Sequence, residues 1–317
     1  MPDFDVAIAG ELNLDLILYG LPEELAPERE LLAERMVFTL GGSSAILAHN
    51  LSVLGARTCF FSRIGDDSMG QIALQLLSEG GVDISQVRRM RNGSATGVTV
   101  ILPRSNWRNI LTYLGTISQL TFEDIDFDYI SSCRHFHLSS LYLQEALRPR
   151  VVELFKRVKA AGLTTSLDTN DDPADTWRGL DEVLPYVDVF LPNEREARKI
   201  TGTNDAELAA ERLAKIVPIV VVKLGPMGAM VQRGKERYLA SSVKVDAVDP
   251  VGAGDSFDAG FLAQYVRGAD LRTCLAYGNL AGALSTTRPG GTEAFRDREH
   301  RERFFREHNY VGSRSTE

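Results

Sequence analysis

Six short apolar runs, separated by stretches of a different period, set the tightest limit on how this chain can fold. They are Val6–Ala9, Cys59–Ile64, Phe136–Leu138, Thr164–Leu167, Val187–Leu191 and Ile219–Leu224. Runs this short and this continuously apolar suit strands buried on both faces, as in a parallel sheet covered by helices. Between them Ala45–Leu54, Gln71–Leu77, Arg150–Ala161 and Ala206–Ile216 carry helical spacing. The alternation predicts an α/β fold, a doubly wound and mainly parallel sheet with helices on both faces. After Phe257 the chain turns helical, over Ala259–Val266 and Thr273–Thr287.

Two segments break the rhythm. Residues 12–39 lack helical spacing and read Leu14, Leu16, Leu18, then Met36-Val37-Phe38. Residues 95–114 read as a hairpin, Thr96–Leu102 and Arg108–Leu114 around a turn at Pro103-Arg104-Ser105-Asn106. In its second arm Ile110 and Thr112 face one way, and Asn109, Leu111 and Tyr113 the other. Together these segments predict a small β-sheet lid inserted into a main domain of residues 1–11, 40–94 and 115–311, with a frayed tail at 312–317. A small sheet is only marginally stable alone, so this lid is also the expected surface of a homodimer. Trp107 and Trp177 read as packing residues of hairpin and loop.

Charge and cysteine usage narrow the partners. A net charge of −8 argues against a general binder of nucleic acid or anionic membrane, which concentrates Lys and Arg. It leaves room for one glycine-lined pocket that holds a small phosphorylated ligand. The start MPDFDVAIAG lacks the basic and apolar regions of a signal peptide, and no stretch reaches the roughly 18 apolar residues of a membrane span. Cys59, Cys133 and Cys274 are odd in number and far apart, which reads as reduced thiols in a cytoplasmic protein.

The segment richest in chemistry is Asp249-Pro250-Val251-Gly252-Ala253-Gly254-Asp255-Ser256-Phe257. Glycines flanking one small residue let the backbone approach a ligand, and the free N–H groups of the helix that follows favour an anion. Such a turn suits the negative charge that builds up on a transferring phosphoryl group, and Asp255 stands where a carboxylate can take a proton from an attacking hydroxyl. Read as local structure, Asp255 is a helix cap on a glycine-rich turn, and glycine spacing alone does not separate the two readings.

This run resembles the signature D-T-x-G-A-G-D-x-F of the ribokinase family, the phosphofructokinase-B-type carbohydrate kinases, with Pro250 where Thr is usual. The resemblance implies an anion hole at Gly252, Ala253 and Gly254, with Asp255 as catalytic base. Further segments follow in the family's order along nearly the whole chain. Gly10-Glu11-Leu12-Asn13-Leu14-Asp15 is similar to the exit of the first strand, which implies that Asn13 and Asp15 hold substrate hydroxyls. Gly41-Gly42 opens a helix as the family's G-G-x-x-x-N does, but Ile46 stands in place of the Asn. Asp168-Thr169-Asn170 resembles a D-x-N substrate segment, although Asp171-Asp172-Pro173 follows where a basic residue is usual. Pro192-Asn193-Glu194-Arg195-Glu196 resembles N-x-x-E, implying that Asn193 and Glu196 help to place Mg²⁺ and phosphate through water; Asn193 also reads as a plain helix cap. Val222–Gly228 resembles the nucleotide loop V-T-x-G-x-x-G, implicating Lys223, Gly225 and Gly228, and Asn279 falls on the helix that closes over adenine. The resemblance implies ATP and Mg²⁺, and potassium at Asp249 and Val251.

Gly65–Gly70 imitates P-loop spacing, but Gln71 stands where Lys is required. A dinucleotide oxidoreductase would need G-x-G-x-x-G after the first strand, and Gly10-Glu11-Leu12-Asn13 does not supply it. Cys133, His135 and His137 alternate, so on a strand they would share one face as metal ligands do; burial in a core strand is the plainer reading. The sequence as a whole points to an ATP-dependent kinase of a sugar-like hydroxyl. A nucleoside kinase of the same family stands second, and a non-catalytic sugar- or nucleotide-binding regulator third.

Overall fold

The computed structural model describes residues 3–104 and 107–308. The expected hairpin turn at Ser105-Asn106 and the tail at 312–317 lie outside the described residues. The strands are β1 Phe4–Ala9, β2 Asn13–Tyr19, β3 Arg35–Gly41, β4 Thr58–Gly65, β5 Val87–Met90, β6 Val98–Pro103, β7 Arg108–Tyr113, β8 Cys133–Ser139, β9 Thr164–Asp168, β10 Val189–Phe190, β11 Ile219–Lys223, β12 Ala229–Arg233 and β13 Glu236–Ala240. The helices are α1 Ser43–Val53, α2 Ser68–Glu79, α3 Phe127–Ile130, α4 Val151–Ala160, α5 Leu180–Val183, α6 Glu194–Thr201, α7 Ala206–Leu213, α8 Ala253–Tyr265, α9 Leu271–Thr286, α10 Glu293–Arg296 and α11 Arg298–Glu307.

The principal sheet runs β13-β12-β11-β10-β9-β8-β1-β4-β5. Its neighbours are parallel from β5 through β11, and β12 and β13 add an antiparallel hairpin at one edge. Side chains of β1 show how both faces become buried. Val6 and Ile8 enter a cluster with Leu47 and Leu51 of α1, Leu77 of α2, Phe261 of α8 and Leu275 of α9. Ala7 and Ala9 enter the opposite cluster with Leu154 and Phe155 of α4 and Leu213 of α7. Each fully buried Leu or Phe contributes about 1.5–3 kcal/mol, so a sheet apolar on both faces is stable only when helices cover both.

The second sheet, in the order β3-β2-β6-β7, has two unlike faces. Asp15 lies opposite Thr39 and Thr99, and Thr99 opposite Thr112, so one face is polar. Leu16 lies opposite Phe38 and Val100, and Val100 opposite Leu111, so the other is apolar. Ile17 and Ile101 pack on Val251, and the Tyr19 hydroxyl donates to Asp249 Oδ2 at 2.5 Å. The second sheet is thereby fastened to the loop that precedes α8.

Candidate active site

The strands β1, β8, β9, β10 and β11 deliver their carboxyl ends to one crevice, where doubly wound sheets hold ligands. Glu11, Ser140, Asn170, Asn193 and Lys223 stand at those ends. Lys223 Nζ donates to Asp168 Oδ2 at 2.6 Å and to Asp258 Oδ2 at 2.9 Å, all three side chains being almost wholly buried. Asp168 Oδ1 accepts from the Asn170 N–H at 3.2 Å, so both its oxygens are engaged. Asp258 lies one helical turn after Asp255 and was no candidate in the sequence, where it reads as one polar residue inside a buried helix.

The turn into α8 explains the glycines. Gly252 adopts φ 72°, and a Cβ there would come within 2.5 Å of the Gly291 Cα. Ile46 closes the space beside this contact, 3.3 Å from the same point, and is itself buried. The residue that breaks the family's substrate motif therefore packs beneath the glycine turn. Asn50 does not take over that contact, because its Nδ2 donates to Ser256 Oγ and to Gly291 O, each at 2.9 Å. The Ala253 N–H is engaged with Pro250 O at 3.2 Å. Among the described residues, the N–H groups of Gly252, Gly254 and Asp255 find no protein acceptor. Orphan donors at the start of a 13-residue helix favour an anion. Asp249 braces the turn, accepting from Val251 N and Gly290 N at 3.0 Å each as well as from Tyr19.

Asp255 keeps part of its surface open. Desolvation and the nearby Asp168 push its carboxyl up to about 6, against the pull of Lys223 and of the nearby Ser43 hydroxyl, while Glu11 adds to the rise. Ser43 Oγ accepts from Asn170 Nδ2 at 2.8 Å, and Asn170 Oδ1 from Ser140 N at 3.1 Å, so the start of α1 and the ends of β8 and β9 are tied together beside Asp255. Asn13 and Asp15 come together with the glycine pair. Side chains at Gly41 and Gly42 would collide with Asp15 and Asn13 respectively, so the pair leaves these two room. Asn13 Nδ2 donates to Asp15 Oδ1 and to Thr99 Oγ1, each at 3.3 Å, and Asn13 Oδ1 is buried with no partner. Burial pushes Asp15 up to about 8, with Asp255 and Glu11 reinforcing the rise. Glu11 escaped the sequence reading; it is buried and accepts from Ser44 Oγ at 2.8 Å and Ser140 Oγ at 2.7 Å.

Asn193 and Glu196 form a capping box at the start of α6, so the cap reading of Asn193 holds. Glu196 is buried, and desolvation with the neighbouring Asp168 pushes it up to about 7. Gly225 and Gly228 flank the turn after β11, and Asn279 on α9 donates to Ala240 O at 2.9 Å and Ser241 O at 3.3 Å. No group of three or more His, Cys, Asp or Glu among the described residues could cage a metal ion. The donor set does fit a hydrated divalent cation, which needs only one or two carboxylates. Asp168 neighbours both Glu196 and Asp255, with Lys223 as the buried cation beside them, and burial first and the Asp168 charge second hold both carboxyls up.

The alternating run on β8 serves the core. His135 bonds Thr164 and Ser166 at 2.8 and 2.7 Å, and His137 bonds Ser166 and Ser139 at 2.7 Å each. Cys133 lies against Cys59, and Cys59, Cys133 and Cys274 are free thiols. Two cavities of about 820 and 670 Å³ lie elsewhere, one at the amino ends of β8 and β9 and one between α1 and α10–α11, and the glycine turn lines neither.

Comparison with known proteins places this geometry. The model of the pfkB family carbohydrate kinase matches residues 3–298. An ATP-dependent ribose-1-phosphate kinase of Halopiger xanaduensis is 31% identical over 292 residues, 91% of this chain and 94% of that protein. The crystal structure of adenosine kinase from Sinorhizobium meliloti superposes with a TM-score of 0.81 at 25% identity, covering 91% of this chain and 95% of that one. A ribokinase II structure from E. coli, in complex with ATP and Mg²⁺, superposes with a TM-score of 0.82 at 25% identity, over 96% of this chain and 100% of that one.

Proposed function

Because the chain belongs to the pfkB family of carbohydrate kinases, we propose that it transfers the γ-phosphoryl group of ATP to a hydroxyl of a sugar or nucleoside, with Asp255 as the base. The observation that carries this reading is the partly exposed Asp255 beside the unpaired N–H groups of Gly252 and Gly254. The acceptor lies under the polar face of the second sheet, its hydroxyls held by Asn13 and Asp15 against Gly41-Gly42. Asp255 takes the proton from the attacking hydroxyl. That oxygen bonds to the γ-phosphorus while the bond to the ADP oxygen breaks, giving ADP and a phosphorylated acceptor. The glycine-turn amides face the charge that spreads over the transferring group, where fixed dipoles are worth far more than water. Gly225, Gly228 and Asn279 line the nucleotide side, and Asp168 and Asn170 hold the machinery around Asp255. Asn193 and Glu196 would hold Mg²⁺ through water; the ion offsets negative charge on the phosphate oxygens. Potassium beside Asp249 and Val251 is the further cofactor proposed.

The acceptor is a sugar, sugar phosphate or nucleoside. Named relatives span these classes, and Asn13 with Asp15 suits the diol common to them. ADP release from purified protein with ATP, Mg²⁺ and a panel of these acceptors, with and without KCl, tests the reading. Release with one class well above the no-acceptor rate is expected; release with none of them contradicts it.

A further inference from the structure

The cavity of about 670 Å³ between α1 and α10–α11 lies outside the crevice described above, and its size is that of a small-molecule site. Arg288, Arg296, Arg298 and Arg301 line it, against the carboxylates of Glu79, Glu293 and Asp297. Arg296 pairs with Glu79 at 3.0 Å and with Glu293 at 3.2 Å, and Arg288 pairs with Asp297. Those ion pairs hold α10 and α11 in place and need no ligand. Three groups have no use in that scheme. Arg301 is partly buried and donates to Phe295 O, with no carboxylate at ion-pair distance among the described residues, and desolvation holds its pKa below the usual arginine value. Arg288 Nε is buried without a partner. His49 lines the same cavity at 1% exposure.

The bonds of Asn50 settle which nitrogen of His49 carries the proton. Asn50 Nδ2 donates to Ser256 Oγ and to Gly291 O, so its Oδ1 is the acceptor and His49 Nδ1, 2.8 Å away, donates. Burial pushes the ring down to about 4 and keeps it neutral, which leaves Nε2 as a lone-pair acceptor. Among the described residues Nε2 has no donor. The cavity wall also reaches the acceptor side of the crevice. Glu293 Oε1, fixed by Arg296, accepts from Thr39 Oγ1 at 2.8 Å, and Thr39 lies opposite Asp15.

We propose that this cavity is a second ligand site for a small polyanion that carries a hydroxyl, either a hydroxy-polycarboxylate or a phosphorylated hydroxy acid, and that its occupancy loosens β3 over the acceptor site. The anionic groups meet Arg301, Arg288 Nε and Arg296, and the hydroxyl donates to His49 Nε2. Drawing Arg296 onto the ligand frees Glu293 from the ion pair that holds it against Thr39.

Calorimetry of the metal-free protein tests the site with citrate, 3-phosphoglycerate and tricarballylate, the last a tricarboxylate without the hydroxyl. Citrate or 3-phosphoglycerate should bind one per chain, the tighter of the two naming the anion type. Tricarballylate should bind about 3–10-fold more weakly than citrate, the scale of one hydrogen bond. Arg301→Gln should weaken the tighter ligand about 10-fold, as the loss of a charge-assisted contact does. Arg298→Gln, at a far more exposed side chain, should weaken it about 3-fold and serves if the first variant does not fold. Hydrogen exchange of the β3 amides should quicken about 3-fold when that ligand saturates the wild type. Binding of neither anion overturns the proposal, as does binding that both variants leave unchanged, and β3 exchange that stays level or slows at saturation overturns the loosening. Neither readout uses turnover, so the outcome is independent of the kinase reading.

Discussion

Asp15 and Asp255 are both pushed upward by burial, yet they come to rest on opposite sides of neutrality. At about 6, Asp255 is mostly ionised at pH 7 and ready to accept a proton; at about 8, Asp15 is mostly protonated and can both donate to and accept from a diol. A carboxyl raised on folding stabilises the protein fully below its unfolded value near 3.8, and that contribution is lost as pH climbs through the folded value near 8. His49, His135 and His137 work the other way, being held neutral by burial, and their contribution is complete above about 6.5. Across the window from about pH 6.5 to 8.5 Asp15 and Glu196 lose their contributions, and the buried carboxyls of Glu11 and Asp258, raised by the same desolvation, act in the same direction. Across it the ligand-free protein should lose about 1–2 kcal/mol, or roughly 3–5 °C in Tm. Asp15→Asn should make that decline shallower; an equally steep decline in the variant would show that Asp15 is not a group responsible.

At the scale of elements the second sheet does two jobs with its two faces. Asn13, Asp15, Thr39 and Thr99 look towards the crevice, and Leu16, Phe38, Val100 and Leu111 look away from it. On that outer face Met36, Leu111 and Tyr113 are more than half exposed, at 62, 55 and 61%. Contiguous apolar surface on a sheet that is marginal by itself favours pairing with a like sheet, which supports the proposed homodimer. Sedimentation velocity should give about twice the chain mass for the wild type and the single chain mass for Leu111→Glu. A monomeric wild type would contradict the dimer. Alternation made these faces legible in the sequence, because period 2 sorts side chains without any knowledge of pairing. What joins the sheet to the glycine turn was not legible. The Tyr19–Asp249 hydrogen bond spans 230 positions, and no local pattern marks it.

For the molecule as a whole, the parallel core was the readable part. Every one of the six apolar runs lies on or overlaps a strand of the principal sheet, because burial on both faces makes such strands predominantly apolar. The edge strands β5 and β13 were missed, together with β12, which pairs with β13. β5 reads Val-Arg-Arg-Met, with its middle pair exposed, and β13 alternates only weakly, as solvated edges do. Asp255 was legible because it closes a Gly-Ala-Gly turn in which Gly252 takes a positive φ and fits against Gly291 only without a side chain. Glu11, Asp258 and the true place of Ile46 were not, since each is defined by contacts across the fold. The central claim is that Asp255 is the base of phosphoryl transfer, and its most direct test is turnover by Asp255→Asn with the best acceptor of the panel. ATP affinity and Tm should stay near wild type while kcat falls about 10²–10⁴-fold; turnover within a few-fold of wild type would contradict it.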